Sequence, residues 1–524
     1  MGLVSLYDTT LRDGAQGEGI SFSLDDKLKI VYRLDELGID YIEGGWPGSN
    51  PKDEEFFKKV RNLKLNNARI VAFSSTRRPG IKVENDSNIL KLLEAGVDTV
   101  TIFAKSWDFH VTHALEITLD DNLDLIFDTV SFLKDKGLKV FFDAEHFFDG
   151  FEANPDYTLK TILTAQDAGA DLIVLCDTNG GQLTSQIENT IKKVKEKVSV
   201  PLGIHLHNDG GLGVANSLAA YENGISQIQG TIGGIGERCG NADLCSIIPA
   251  LKVKYNEDVI TEEQLSKLKS VYHYVMEIAN LIPQNQTPYV GRSAFTHKGG
   301  IHVSALQKNP ATYEHIEPEK VGNRRRVLVS ELSGKSNLKY KLKELGFNID
   351  NFTKAELSRL TKKIKFLEHK GYQFEGADAS FNLLVNREYG NHKPFFTVND
   401  FKIISHNSGE MTNSEAVIKL VVNNEKVHVA AEGDGPVNAL DNALRKGLRT
   451  FFPEIKNMKL IDYKVRVLNG DRGTAAKVRV LIETSNGEDT WTTVGVSTNI
   501  IQASWQALID SIEYGLLIHE KKLE

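Results

Sequence analysis

The stretch "VSLYDTTLRDGAQGEGISFSLDDKLKIVYRLDELGIDYIEGGW", residues 4–46, poses the fold question in miniature. A short apolar run, "VSLYD" (4–8), leads into a loop that carries Arg12 and Asp13. A helical pattern follows, "SLDDKLKIVYRLDELG" (23–38), with Ser23 placed as N-cap and Gly38 placed to end it. A second apolar run, "YIEGGW" (41–46), comes next. A doubly wound open sheet normally places a phosphate-binding glycine loop after its first strand, and "RDGAQGEG" does not fit one. The charges behind the first strand need another explanation.

The same unit repeats. Apolar, β-branched runs recur at 68–75, 99–104, 139–147, 172–178, 201–209 and 227–234, separated by helical patterns. Five of those helices end on a glycine just before a strand: Gly38, Gly96, Gly137, Gly169 and Gly224. Eight strands alternating with helices over about 250 residues is the size and order of a (β/α)8 TIM barrel, an α/β fold. The texture then changes. Residues 260–375 read as mostly helical and Lys-rich, with an irregular insert at 287–316, and strands dominate from about 390. Helical segments at 435–448 and 500–512 match at an offset of 64, as in Ala439/Ala503 and Leu444/Leu508, which suggests two copies of a strands-then-helix unit. The expected division is a barrel over 1–283, a mostly helical linker over 284–385 and a C-terminal α+β domain over 386–524.

Composition narrows the function. The 524 residues are 41% hydrophobic and 25% charged, the soluble globular average. A net charge of −8 argues against nucleic acid or an anionic membrane as partner. Three cysteines, no span-length apolar run and no signal-peptide pattern predict a cytoplasmic protein.

In a barrel of this kind the chemistry sits at the C-terminal ends of the strands. The polar residues expected there are Arg12 and Asp13, Glu43, Glu145, Asp177 and Thr178. The seventh strand adds His205, His207, Asn208 and Asp209, and the loop after the eighth adds Glu237, Arg238 and Asn241. His205 and His207 are spaced i, i+2, so on a strand both imidazoles face one point. With Asp13 they form two histidines and a carboxylate, a donor set suited to a divalent metal such as Zn, Mn or Mg. Arg12 beside that set suits an oxyanion developing on substrate, and it also suits an ion pair with Glu43 or Glu145. Weaker signals fall away. "SGKSN" (333–337) has Val329 where a phosphate loop needs glycine, Arg324–Arg326 reads as a solvated face, and Cys176 reads as core.

"DTTLRDGAQ", "HLHND", "GGIGERCGNAD" and "HKGGIH…NPATYE" together resemble the alpha-isopropylmalate, homocitrate and citramalate synthase family. "GDGPVNALDNAL" looks like that family's amino-acid-sensing domain, so the resemblance covers nearly the whole chain. "YIEGGWPGSNPKD" (41–53) and "VGNRRRVLVSELSGKSN" (321–337) look like its citramalate synthase branch. The resemblance implies condensation of acetyl-CoA with pyruvate followed by thioester hydrolysis, with 2-oxoisovalerate as the alternative acceptor. It implies metal ligands at Asp13, His205 and His207, with Asn241 as a further or outer ligand. It implies Arg12 at the keto oxygen, Glu145 and Thr178 on the α-keto acid, and His302, with Glu237, as base. His302 and Tyr313 match linker residues that reach the partner subunit's barrel in the family, which implies a homodimer. Isoleucine is the expected inhibitor, acting through the C-terminal domain. One departure stands out: the family commonly reads "RDGEQ", and here Ala15 takes the place of the Glu, leaving Glu43 or Glu18 as available carboxylates. Trp46, Phe73 and Phe103 are the aromatics expected to narrow the pocket toward pyruvate. A lyase of the same barrel superfamily would not need His302, Tyr313 or the long C-terminal domain. A pure metabolite sensor would not need Arg12, Asp13 and the histidine pair.

Overall fold

The computed structural model describes residues 4–328, 335–389, 394–408, 411–468 and 470–523. Val329 and the start of "SGKSN" lie outside the described residues. Eight parallel strands form a closed barrel in chain order. They are β1 (Ser5–Asp8), β2 (Tyr41–Gly45), β3 (Arg69–Ser75), β4 (Thr99–Lys105), β5 (Lys139–Glu145), β6 (Leu172–Asp177), β7 (Leu202–Leu206) and β8 (Gln227–Gly230). β1 pairs with β2 on one side and with β8 on the other, Ser5 opposite Gln227 and Asp8 opposite Gly230.

Each strand is buried on both faces, which is why it reads as an apolar run rather than an alternation. Residues pointing inward, among them Tyr7, Val71, Phe141 and Val174, make a small inner core. Residues pointing outward meet the helices in a much larger one that includes Leu6, Ile42, Ile102 and Phe142. The first helix, Leu24–Leu37, begins with a reciprocal cap between Ser23 and Asp26 and stops at Gly38, whose φ of 91° returns its N–H to Asp35. The other four expected stop glycines also have positive φ.

A buried ion pair pins the loop after β2. Lys27 Nζ lies 2.5 Å from Asp53 Oδ1 and 3.0 Å from the Gly44 carbonyl, and Asp53 Oδ2 accepts from the Trp46 N–H at 3.0 Å. Burial pulls the Lys27 ammonium pKa down from its ordinary value, against the opposing charge of Asp53.

The chain divides into two compact units: Met1–Phe295 with Glu314–Arg325, and Thr296–Tyr313 with Arg326–Glu524. In the first, Arg325 is not part of a solvated face. It forms a two-point ion pair with Glu314, which is 8% exposed, because a buried carboxylate requires a partner. In the second unit, antiparallel strands Thr397–Ser408, Met411–Val422 and Glu425–Gly433 precede helix Pro436–Leu448. Strands Lys459–Val467, Val478–Ser485 and Thr490–Ser497 then precede helix Ile500–Leu523. This is the duplicated strands-then-helix unit, and the matched alanines and leucines of both helices are buried in one shared core. Among the described residues no helix is long and apolar enough to cross a membrane.

Replacing Lys27 by Met leaves Asp53 buried and unpaired. The expected cost is about 3–5 kcal/mol, read as an earlier first transition in urea, and Lys27→Met with Asp53→Leu is expected to recover much of it.

Candidate active site and metal centre

The turn after β1 is shaped by Asp8, whose carboxylate accepts from the Thr10 N–H at 2.9 Å and the Thr10 hydroxyl at 2.8 Å. Asp8 is fully buried, and burial raises its pKa to about 7 despite those bonds. Its role is to fold the loop so that the next two charges, Arg12 and Asp13, arrive at the barrel mouth.

Arg12 is bracketed there. Its Nε donates to Glu43 Oε2 at 2.8 Å, its Nη1 to Asp13 Oδ2 at 3.0 Å, and its guanidinium lies 3.9 Å from the Phe73 ring centre. Glu43 also takes hydrogen bonds from Tyr7 at 3.0 Å and from Thr9. Burial disfavours the Arg12 charge, but Glu43 and Asp13 outweigh it and raise the guanidinium pKa above its ordinary value. Of the two partners expected for Arg12, Glu43 is the one present. Glu145 pairs instead with Lys105 at 2.5 Å, because β4 and β5 set these two side by side.

Asp13 faces both histidines, 3.4 Å from His205 Nε2 and 3.8 Å from His207 Nε2. Burial opposes its ionisation, yet Arg12 and His205 hold its carboxyl well below the usual range. The two imidazoles are not equivalent. Burial lowers His205, but Asp13 more than offsets this and its pKa is raised; burial and the neighbouring His205 push His207 down to about 4. Arg238 Nη2 lies 3.1 Å from His207 Nδ1 and ties it to Asp209 and the Thr178 carbonyl.

The loop after β8 brings Asn241 in behind Asp13, with Nδ2 donating to Asp13 Oδ1 at 3.2 Å and to the Ile235 carbonyl at 3.1 Å. That loop folds tightly onto itself at Gly240, where φ is 82° and a Cβ would meet the Gly234 oxygen at 1.9 Å. Asp13, His205 and His207 offer ligand atoms within 4.8 Å of one another. Beside them the buried Asn241 Oδ1 has no hydrogen-bond partner among the described residues. Three donors converging with an orphaned acceptor at their edge fit a divalent cation in both chemistry and spacing.

The cavity above this group has a volume of about 220 Å³. Its floor is Arg12, Asp13 and the histidines; Glu145, Thr178 and Glu237 also reach it. Trp46, Phe73 and Phe103 form one wall, with Phe73 and Phe103 stacked at 5.2 Å and Trp46 edge-on to both.

The sequence profile of the HMGL-like family matches residues 3–275. A homocitrate synthase post-HMGL domain-like profile matches 289–371, and a LeuA allosteric (dimerisation) domain profile matches 375–516. The chain is 55% identical over 518 residues to an (R)-citramalate synthase of Geobacter sulfurreducens, covering 98% of each chain. It is 52% identical over 523 residues to an (R)-citramalate synthase of Aquifex aeolicus, covering 99% of each. Identity is 32% to a 2-isopropylmalate synthase of Methanocaldococcus jannaschii, covering 99% of this chain and 96% of that one. The chain belongs to the isopropylmalate, homocitrate and citramalate synthase family.

Of the residues that the resemblance to this synthase family singled out, Arg12, Asp13, Glu145, Thr178, His205, His207 and Glu237 line one cavity, with Asn241 behind it. His302 and Tyr313 belong to the second unit, where their rings stack at 4.1 Å. Asp177 is not in the site, because its carboxylate turns into the following loop to accept from the Gly180 and Gln182 N–H groups. Asn208 caps Gly213. Where the synthase family commonly has a Glu, Ala15 packs against the core and Glu18 is exposed, so Glu43 is the carboxylate that reaches Arg12. Cys176 touches the cavity, but burial pushes its thiol pKa well up, which disfavours the thiolate a nucleophile needs. Sequence reasoning missed Asp143, which shares the inward face of β5 with Glu145, and Gln229 beside His205. The i, i+2 spacing before Glu145 was a readable signal for Asp143, whereas Gln229 had none.

Dialysed Asp13→Ala protein is expected to hold only background manganese by elemental analysis, against one ion per chain in the wild type. Asp177→Ala, altered outside the cavity, is expected to match the wild type.

Proposed function

We propose that this chain is an (R)-citramalate synthase, joining acetyl-CoA to pyruvate and hydrolysing the thioester to release citramalate and CoA. The observation that carries the reading is similarity to (R)-citramalate synthases along nearly the entire chain. The small cavity and its aromatic wall support a compact keto acid such as pyruvate over branched 2-oxoisovalerate.

The reaction builds negative charge on the keto oxygen and requires a proton to leave the acetyl methyl. A divalent cation (Mn, Mg or Zn) held by Asp13, His205 and His207, with Asn241 alongside, supplies Lewis-acid polarisation of the keto acid. Arg12 meets the charge on the keto oxygen. Its own charge is kept by Glu43 and Asp13, so it needs no reorganisation as the reaction proceeds. Glu145 and Thr178 orient the keto acid, and the bond that the His146 N–H donates to the Thr178 hydroxyl oxygen at 2.9 Å fixes the two strand ends relative to each other. His302, with Glu237, takes the methyl proton or activates the hydrolytic water. Tyr313 holds the His302 ring through their stacking contact.

We propose a homodimer in which the His302–Tyr313 segment serves the partner subunit's barrel. The match to a dimerisation domain supports this, as does the grouping of Thr296–Tyr313 with the C-terminal unit rather than with the barrel. The domain limits 1–283, 284–385 and 386–524 belong to the same proposal. Isoleucine is proposed as the inhibitor, acting through the C-terminal domain, which is supported by the match to an allosteric domain. Three free cysteines support a reducing, cytoplasmic location.

CoA release from acetyl-CoA is expected to be fastest with pyruvate in a panel with 2-oxoisovalerate, glyoxylate and 2-oxoglutarate. A preference for 2-oxoisovalerate would replace this reading with 2-isopropylmalate synthase. In the same assay isoleucine is expected to inhibit more strongly than leucine or valine; equal responses to all three would sink the effector assignment.

A further inference from the structure

Gln229 is fully buried in β8 and sits directly beside His205 of β7 in strand register. The two ends of its amide differ chemically, and its neighbours decide which way it faces. Its Nε2 lies 3.4 Å from Asp143 Oδ1, a carboxylate oxygen that accepts, and 3.4 Å from Gln227 Oε1. Its Oε1 is therefore turned to His205, 3.0 Å from Nδ1. A carbonyl oxygen only accepts, so Nδ1 of His205 carries a proton and Nε2 is the ring atom turned to the cavity, 3.4 Å from Asp13 Oδ2; when a cation takes the place of the Nε2 proton, that lone pair becomes the ligand. His207 is held the other way, because its Nδ1 faces Arg238 Nη2 at 3.1 Å, which only donates and so makes that nitrogen the acceptor.

We propose that Gln229, oriented by Asp143, is a positioning residue that sets the tautomer and ring angle of His205 and thereby tunes the metal affinity of the site. The inference rests on the metal reading above and deepens it. Three strands take part: Asp143 from β5, Gln229 from β8 and His205 from β7, all buried. Hydrogen-bond partners behind a metal-binding histidine typically contribute 10–100-fold in metal affinity. Gln229 is thus expected to matter to a cation it does not touch.

The test measures dissociation constants of the full-length protein for Mn2+ and Zn2+ alone, by competition with a chelating indicator, with circular dichroism as the check on folding. Gln229→Leu removes the acceptor and is expected to weaken binding about 10–100-fold. Gln229→Glu keeps an acceptor toward Nδ1 but sets a second carboxylate against Asp143, and is also expected to weaken it. Adding Asp143→Asn to Gln229→Glu restores a donor–acceptor pair and is expected to recover most of the loss, a rescue that a purely structural role would not produce. Unchanged affinity in folded Gln229→Leu, or a double variant no tighter than Gln229→Glu, overturns the inference. If Gln229→Leu does not fold, the Gln229→Glu pair decides. A wild-type protein that binds no stoichiometric cation would instead refute the metal reading itself.

Discussion

The pairing of β1 with β8 closes the barrel, and the arrangement at its mouth depends on that closure. Asp13 and Asn241 are 228 residues apart in sequence, yet they share a hydrogen bond because β1 lies against β8. His205 and His207 come from β7, the next strand round. A sheet left open at this seam would separate the carboxylate from both imidazoles, and no local sequence feature could compensate. The tight loop after β8 makes the same contact from the other side, with its Asn241 N–H returning to the Gly234 carbonyl at 3.1 Å.

Closure also concentrates charge where water is scarce, and the site manages this by alternation of sign. Glu43, Arg12 and Asp13 follow one another as minus, plus, minus, so each buried group has a partner within hydrogen-bonding distance. Burying any one of them alone would cost several kcal/mol, and breaking the set is correspondingly expensive. The same field separates the histidines, raising His205 and lowering His207 to about 4. Asp143, fully buried near Glu43, has its pKa raised to about 7 by burial and by that neighbour. The inner face of the barrel is therefore a graded polar network that opens at its mouth.

The second unit is organised on a different principle. Its two three-stranded sheets and their helices build a core with its own tryptophans, Trp491 and Trp505, and owe nothing to barrel closure. A smaller cluster, around Leu342, Leu360 and Phe381, gathers the helices that precede those sheets. Stability of the barrel and of the C-terminal part thus comes from separate apolar cores.

Much of this was legible from residues alone. Strands buried on both faces read as apolar runs, and eight of them with intervening helices pointed to the barrel. Stop glycines marked the helix ends because only glycine adopts a left-handed cap without strain. His205 and His207 could be assigned to one face because side chains alternate along a strand with period 2. The helix offset of 64 exposed the C-terminal duplication because both helices bury the same pattern. What the sequence could not settle were choices between neighbours. Arg12 takes Glu43 because Lys105 occupies Glu145, Asp177 bends into its own loop, and Gln229 faces His205 only because β7 and β8 bring them into register. Periodicity along one strand fixes the face on which a side chain lies. Which side chain lies opposite is fixed only by the closed sheet, because that pairing joins residues whose separation in sequence carries no signal.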